Sequence, residues 1–401
     1  MAQPQPDGPR DAVIVSTVRT PVGRGKAGGA LHGVHPVDLL SQTLQGLLAR
    51  APEVDPGAVD DVIVGCVSQV GEQSATPGRV AWLAAGFPAH VPATTIDRKC
   101  GSSQQAVHFA AQAIRSGDAD IVVAGGVESM SRVVMGSARM GADPYGAGVA
   151  ERYAPGLVSQ GVASELVTAE WGFTREELDS YAARSHARAA AAQDAGAFDR
   201  EIVPVTTPGG VVTADETIRR DTTPEKLAGL KPVFGTPELA QRFPQVRWST
   251  TAGNSSQITD GASALLMMSR AKAEQLGLRA RARVHSTAVV GSDPLLMLTG
   301  PIPATERVLA RSGLTLDEID HVEVNEAFAP VPLAWLQECK GDPERLNPRG
   351  GAIALGHPLG ASGTRLMTTM LHALEDNDQR FGLQLMCEAG GMANATIIER
   401  L

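Results

Sequence analysis

Cysteine is scarce in this chain of 401 residues, with four at Cys66, Cys100, Cys339 and Cys387, spaced 34, 239 and 48 positions apart. No CxxC pair occurs, so the spacing supports neither a zinc knuckle nor a small disulfide scaffold, and no metal is expected. Such usage fits a reducing cytoplasm, where a singled-out cysteine is either buried and structural or reactive. Positive charge is also in deficit. Lys and Arg number 35 against 44 Asp and Glu, a formal net charge of −9. That balance excludes general binding to nucleic acid or to an anionic membrane surface and leaves room only for a local basic patch. Long apolar runs are missing as well, and no span approaches the length of a membrane helix. The opening "MAQPQPDGPRDAVIVSTVRT" is a polar, proline-rich lead followed by a short apolar run, with no secretory h-region. The expectation is a cytoplasmic protein without membrane insertion.

What is present points to a compact fold. Hydrophobic residues make up 43% and charged residues 20%, and the 43 glycines imply a turn-rich, closely packed chain. The length exceeds the usual single core, so two or more domains or a fused repeat are expected. "AVIVSTV" (12–18), "DDVIVGCVS" (60–68), "ATTID" (93–97) and "DADIVVAGG" (118–126) read as strands. Helices are expected at "PVDLLSQTLQGLLAR" (36–50) and from about Cys100 to Arg115. Continuous apolar strands separated by helices imply an α/β sheet covered on both faces. From 127 to 250 glycine, proline and charge increase, and one long helix is expected at 174–196, capped by Thr174 and Glu177. This stretch reads as an insertion. Strand-like runs return at 262–269 and 282–292.

An internal repeat supports a duplicated architecture. "VDDVIVGC" (59–66) resembles "IDHVEVNE" (319–326) at an offset of 260. Gly125-Gly126 in "IVVAGGVESM" is matched to Gly390-Gly391 at an offset of 265. The expected domains are 1–126 with 251–280 as an N-terminal half, 127–250 as an inserted loop domain, and 281–401 as a C-terminal half.

The chemistry starts at "RKCGSSQQA" (98–106). A thiol between a strand and a helix N-terminus, flanked by Arg98 and Lys99, is favoured as thiolate, which lowers its pKa. The competing reading is a buried, inert small hydrophobe. "LNPRGGAIALGHPLGASG" (346–363) holds His357 between glycine and proline in a stiff loop, a candidate base for a thiol or a satisfied turn residue. "EVNEAFAP" (323–330) ends an apolar strand with Asn325 and Glu326, facing a ligand crevice or capping a turn. "MCEAGGMAN" (386–394) carries Cys387 into a Gly-Gly turn.

These segments together resemble the thiolase family of CoA-dependent acyltransferases. "VRTPVGRGKAGGAL", "AGGVESMS", "TAGNSSQITDGAS" and "TGPIPAT" extend the likeness over essentially the whole chain. The resemblance implies duplicated βαβαβαββ halves forming a five-layered αβαβα core, with the loop domain covering CoA. It implies Cys100 as the nucleophile that takes the acyl group as a thioester, and His357 as its base and a ligand of the thioester oxygen. Asn325 would hold a water in the first oxyanion hole, and Cys387 would be the second acid/base. Backbone N–H groups of Cys100 and Ala389 would form a second oxyanion hole. Arg219, Arg220, Lys226, Leu230 and Ser256 would bind CoA, and Met297, with Ser159 and Gln160, would line the acyl pocket. CoA is a co-substrate, and no permanently bound cofactor is implied. A homodimer or homotetramer, and association with other β-oxidation enzymes, are further implied.

Two departures from the family's pattern matter. The usual Cys-x-Gly-Gly-Gly reads Cys387-Glu388-Ala389-Gly390-Gly391 here, where a backbone donor survives provided the φ of Ala389 is negative. Short-chain, acetoacetyl-specific members carry His-Met where Ser159-Gln160 stands, which favours a degradative 3-ketoacyl-CoA thiolase. The alternatives are a biosynthetic acetoacetyl-CoA thiolase, a decarboxylating ketosynthase, which would not need Cys387, and a non-catalytic CoA- or lipid-binding relative. Glu326, His108, Cys66 and Cys339 are expected to be structural.

Overall fold

The computed structural model describes residues 8–401; the polar lead of residues 1–7 lies outside them. Twelve strands follow along the chain: β1 (Ala12–Arg19), β2 (Gly23–Arg24), β3 (Asp61–Gly65), β4 (Ala93–Ile96), β5 (Ile121–Ser129), β6 (Val205–Thr207), β7 (Gly210–Val212), β8 (Thr259–Ser269), β9 (Ala282–Gly291), β10 (His321–Val324), β11 (Phe381–Glu388) and β12 (Met392–Arg400). Ten of them hydrogen-bond in the order β10-β11-β12-β9-β1-β8-β5-β3-β4, with β2 beside β8, while β6 and β7 form a separate hairpin. The join in the middle is narrow, because β1 meets β9 only through Val13–Arg283 and Ile14–Ala282. On one side β3 runs parallel to β4 and β5, and β8 runs antiparallel to β5 and β1. On the other β10 runs parallel to β11, and β12 runs antiparallel to β11 and β9.

The two arrays repeat one pattern at a constant spacing. β3 and β10 start at 61 and 321, the helices Ser102–Ser116 and Ser362–Asp376 at 102 and 362, and β5 and β11 at 121 and 381, an offset of 260 each time. The Gly-Gly match at 265 is thereby corrected. Gly125 and Gly126 lie inside β5, where a Cβ on Gly126 would stand 2.1 Å from the Gly360 carbonyl oxygen. Gly390 and Gly391 instead turn the chain between β11 and β12 with φ of +94° and +78°. Two glycine pairs arose from two different constraints.

Helices Ser102–Ser116 and Ser362–Asp376 pack on each other and touch strands of both arrays, so they form the middle layer. Ala106, Ala110 and Ile114 of the first meet Met367, Met370 and Leu374 of the second in one buried cluster, the three-and-four spacing of an apolar helix stripe. Helices Pro36–Ala49 and Pro77–Ala84 cover the first array from outside, and Pro301–Ser312 with Pro330–Cys339 cover the second. The result is a five-layered αβαβα core. β5 and β8 are buried at every position, which is why apolar and small residues dominate Ile121–Val127 and Ala262–Met268.

Between β5 and β8 the chain forms the helices Gln160–Trp171 and Arg175–Asp194 and the β6–β7 hairpin. The capping box at Thr174 and Glu177 is present. Helix Gln160–Trp171 was not expected. It is buried from Gly161 to Thr168 and so shows no polar stripe to betray its period. β5 also continues to Ser129, beyond the expected start of the insertion at 127. The insertion is tied to the core through fully buried Arg19 on β1, which bonds Glu201 at 2.5 Å and grips Asp215 at 2.7 and 2.9 Å.

Candidate active site

Cys100 sits in a tight turn between β4 and the Ser102–Ser116 helix. Lys99, just before it, takes a left-handed φ of +49°, which costs a non-glycine residue about 1–3 kcal/mol. Asp97 offsets that strain by accepting from the Lys99 amide at 2.7 Å and pairing with its ammonium at 2.6 Å. The Ser102 hydroxyl closes the turn onto the Lys99 carbonyl at 2.6 Å. The thiol is buried beside Met130, Leu359, Leu366 and Met386.

Burial pushes the Cys100 thiol up to about 12, and nearby Glu388 adds to the rise. This corrects the expectation of a preformed thiolate. A helix N-terminus is worth roughly 0.3–1 kcal/mol, less than the 1.36 kcal/mol of one pKa unit, so desolvation wins. The basic flank does not help, because Lys99 is neutralised by Asp97 and the charges that reach the thiol are those of Glu388, Glu128 and Asp97. The nucleophile rests as a thiol and needs a base.

His357 occupies the loop ahead of the Ser362–Asp376 helix. Its Nδ1 lies 2.6 Å from the Ser362 hydroxyl, which itself donates to the Pro358 carbonyl at 2.8 Å. Ser362 must therefore accept from Nδ1–H, which leaves Nε2 as the bare nitrogen. The Asn325 amide nitrogen stands 3.4 Å from that Nε2. Burial, with the positive charge of Arg365, depresses the imidazole to about 3, so it is neutral. The loop is fixed from two sides. Glu128 accepts from the Gly360 amide at 2.9 Å, and the His357 amide donates to the Gln257 carbonyl at 3.1 Å. Gly356 has φ of +87°, and a Cβ there would lie 2.4 Å from Thr259 Cγ2, so only glycine fits.

Asn325 follows β10 and is fully buried; its side-chain oxygen has no hydrogen-bond partner among the described residues. Beside it Glu326 receives Tyr181 at 2.9 Å, Ser185 at 2.6 Å, Asn347 at 3.0 Å and the Ile353 amide at 3.1 Å, which makes it an anchor for the Asn325 turn. Cys387 lies near the end of β11, buried, with its thiol raised well above the ordinary range by burial and then by the charge of Cys100. A charge on Cys100 is thus felt at Cys387. Ala389 lies outside the left-handed region, which Gly390 and Gly391 occupy instead.

The remaining expected residues divide. The Arg219 guanidinium comes within 3.4 Å of the Gln257 side-chain oxygen, which links it to the His357 loop. Arg220 and Lys226 are exposed and paired with Asp194 at 2.8 Å and Asp221 at 2.7 Å. Leu230 is partly exposed and leans on Gly253, and the Ser256 amide bonds the Ala327 carbonyl at 2.9 Å. Met297 is buried in the same cluster as Cys387, with φ of +51°. Ser159 is exposed and caps the Gln160–Trp171 helix through the Val162 amide at 3.4 Å, a task distinct from lining a pocket. Ser362, Glu128 and Gln257 were missed by sequence reasoning. Only Ser362, five positions after His357, lies close enough in the chain to have been suspected. Among the described residues no His, Cys, Asp and Glu group could hold a metal, and no helix is long and apolar enough to cross a membrane.

Comparison with known proteins covers nearly the whole chain. Residues 12–271 match the family model described as thiolase, N-terminal domain, and residues 278–400 match thiolase, C-terminal domain. The chain is 50% identical over 399 residues to the steroid 3-ketoacyl-CoA thiolase FadA6 of Mycobacterium tuberculosis, covering 98% of this chain and 94% of that protein. It is 44% identical over 400 residues to the 3-ketoacyl-CoA thiolase of Photobacterium profundum, covering 98% and 100%. The crystal structure of the Bacillus anthracis acetyl-CoA acetyltransferase superposes with a TM-score of 0.85 at 36% identity, covering 98% of this chain and 99% of that one.

Proposed function

The chain belongs to the thiolase family, and on that premise we propose that it cleaves 3-ketoacyl-CoA with free CoA, giving acetyl-CoA and a shortened acyl-CoA. His357 Nε2 takes the Cys100 proton as the sulfur attacks the 3-keto carbon. The resulting oxyanion is stabilised by the newly protonated Nε2 and by a water held at Asn325. The carbon–carbon bond then breaks toward the acetyl unit, whose enolate oxygen is held by the Cys100 and Ala389 amides. Cys387 gives its proton to the enolate carbon, and acetyl-CoA leaves. Incoming CoA passes its thiol proton to the Cys387 thiolate and attacks the thioester, and Cys100 recovers its proton from His357. Both cysteines and the imidazole return to their starting states.

The observation that carries this reading is the Ser362–Nδ1 contact, which leaves Nε2 of a neutral imidazole bare beside the Asn325 amide. The raised Cys387 thiol supports its role as acid, because a proton donor must first hold its proton. For CoA, Arg219, Arg220 and Lys226 supply charge for the phosphates, while Leu230 and Ser256 face the pantetheine. The pairs at Arg220 and Lys226 are exposed and worth about 0–1 kcal/mol, so a phosphate can replace the acids. Four free cysteines support action in the reducing cytoplasm. β4, which ends the sheet with one edge unpaired among the described residues, supports assembly into a homodimer or homotetramer.

The test is CoA-dependent thiolysis of straight-chain 3-ketoacyl-CoA esters of several lengths, run beside a 3-ketoacyl-CoA carrying a steroid side chain. Release of acetyl-CoA from esters longer than acetoacetyl-CoA is expected. Turnover confined to acetoacetyl-CoA favours the biosynthetic reading, and no turnover on any ester overturns the enzyme reading.

A further inference from the structure

Glu388 is a buried acid to which the mechanism above gives no task. It ends β11, directly after Cys387, and is fully buried. Neither of its carboxyl oxygens has a hydrogen-bond partner among the described residues. Buried carboxyls in folded proteins are normally paired. Glu128 and Glu326 in this same molecule follow the rule, each with four donors. Glu388 breaks it.

Its position explains where its charge is felt. Alternation along β11 turns Cys387 toward the cluster of Leu383 and Leu385, and puts Glu388 on the opposite face with Met386, which packs beside Cys100. From there the carboxyl reaches the nucleophile's own turn, since a Cβ on Gly101 would lie 1.9 Å from Glu388 Oε1. Asn394 of β12 stands at the same spot but donates to the Gly101 carbonyl at 3.1 Å. The charges acting on Glu388 are Arg98, which favours its ionisation, and Asp97, which opposes it; burial outweighs both and holds it as the acid up to about 8. In turn a charge on Glu388 acts on Cys100 and on Cys387.

We propose that Glu388 is a positioning residue for the nucleophile: as the neutral acid it fills the space behind Gly101 without opposing a thiolate on Cys100, and once ionised it withholds that thiolate. The step is loss of the carboxyl proton to solvent, and no bond to carbon or sulfur changes. The inference rests on Cys100 as the nucleophile, so the test reads the thiol itself. Iodoacetamide labelling is followed across pH by mass spectrometry, with the labelled residue mapped, in wild type, Glu388→Gln and Glu388→Asp.

Label at Cys100 that is lost in Cys100→Ala secures the nucleophile independently of Glu388. In Glu388→Gln the midpoint for Cys100 should fall by a unit or so, making alkylation about tenfold faster at alkaline pH. Glu388→Asp, which keeps the charge, should behave as wild type. An unchanged midpoint in a folded Glu388→Gln protein overturns the proposal, because a merely space-filling role predicts that result. Should Glu388→Gln fail to fold, wild type alone decides. Its rate should rise with pH, flatten as the carboxyl ionises and then rise again, whereas a straight unit-slope profile rejects the idea.

Discussion

Three titratable side chains carry the proposed chemistry, and burial pushes each toward neutrality: the Cys100 and Cys387 thiols upward, the His357 imidazole downward. Charge separation between thiol and imidazole is therefore unfavourable until a substrate carbonyl begins to take up negative charge. Protons move late, in concert with attack. On this account Cys100→Ala abolishes acyl-enzyme formation, and intact mass after incubation with substrate should show no adduct. Cys387→Ala should separate the half-reactions. It should still take an acyl group onto Cys100 from a simple acyl-CoA, because that transfer requires no proton at the acetyl carbon. Cleavage of 3-ketoacyl-CoA should fall by about 10²–10⁴-fold, the usual worth of a general acid. Single-turnover assays of the two reactions check this, and wild-type cleavage in Cys387→Ala would remove the second cysteine from the mechanism.

Among the elements, the His357 loop depends on segments far away in sequence. Gln257 is their meeting point: its side-chain nitrogen lies 2.9 Å from the Thr217 carbonyl, 2.9 Å from Ile353 and 3.1 Å from Ala354, while its own carbonyl receives the His357 amide. One residue thus couples the Thr217–Arg219 stretch of the insertion to the catalytic loop. Gln257→Ala should cost about 1–3 kcal/mol of stability, since it strips donors from buried carbonyls. It should also raise KM for CoA more than it lowers kcat, because Arg219 loses its link to the site while Ser362 and Glu128 still hold the loop. Urea melts and CoA titrations of the thiolysis rate measure the two effects. A fall in kcat with KM unchanged would place Gln257 with the chemistry instead. None of this coupling was legible beforehand. The sequence displayed His357 because glycine and proline mark a stiff turn locally, whereas Glu128 reaches Gly360 across 232 residues and only folding reveals it.

Taken whole, the molecule divides what could be read from what could not. β1, β5 and β8 were legible because strands buried on both faces leave short runs dominated by apolar and small residues, and the 260-residue repeat was visible from one strand pair. The protonation of the site was not, since desolvation depends on the full five-layered packing. That packing also sets the response to pH. His108 lies in the middle layer, 2.7 Å from the Thr396 hydroxyl, and burial depresses it to about 3, as it does His357. An unfolded histidine titrates near about 6.5. Between those values the unfolded chain holds more protons than the native one, so this stability is complete above about 6.5 and is lost as pH falls toward 3. Glu388 has the opposite sign. Its native value of about 8 stands above the roughly 4.3 of an unfolded glutamate, so the native state holds the extra proton and stability declines as pH rises through that window. Unfolding free energy against pH should therefore form a dome. Urea melts followed by the fluorescence of buried Trp82 and Trp335 can trace it. His108→Gln keeps a donor for Thr396 but cannot take up the proton, so it should flatten the acid arm alone. Glu388→Gln should flatten only the alkaline arm. An acid arm left unchanged in His108→Gln would show that His108 does not contribute to acid unfolding.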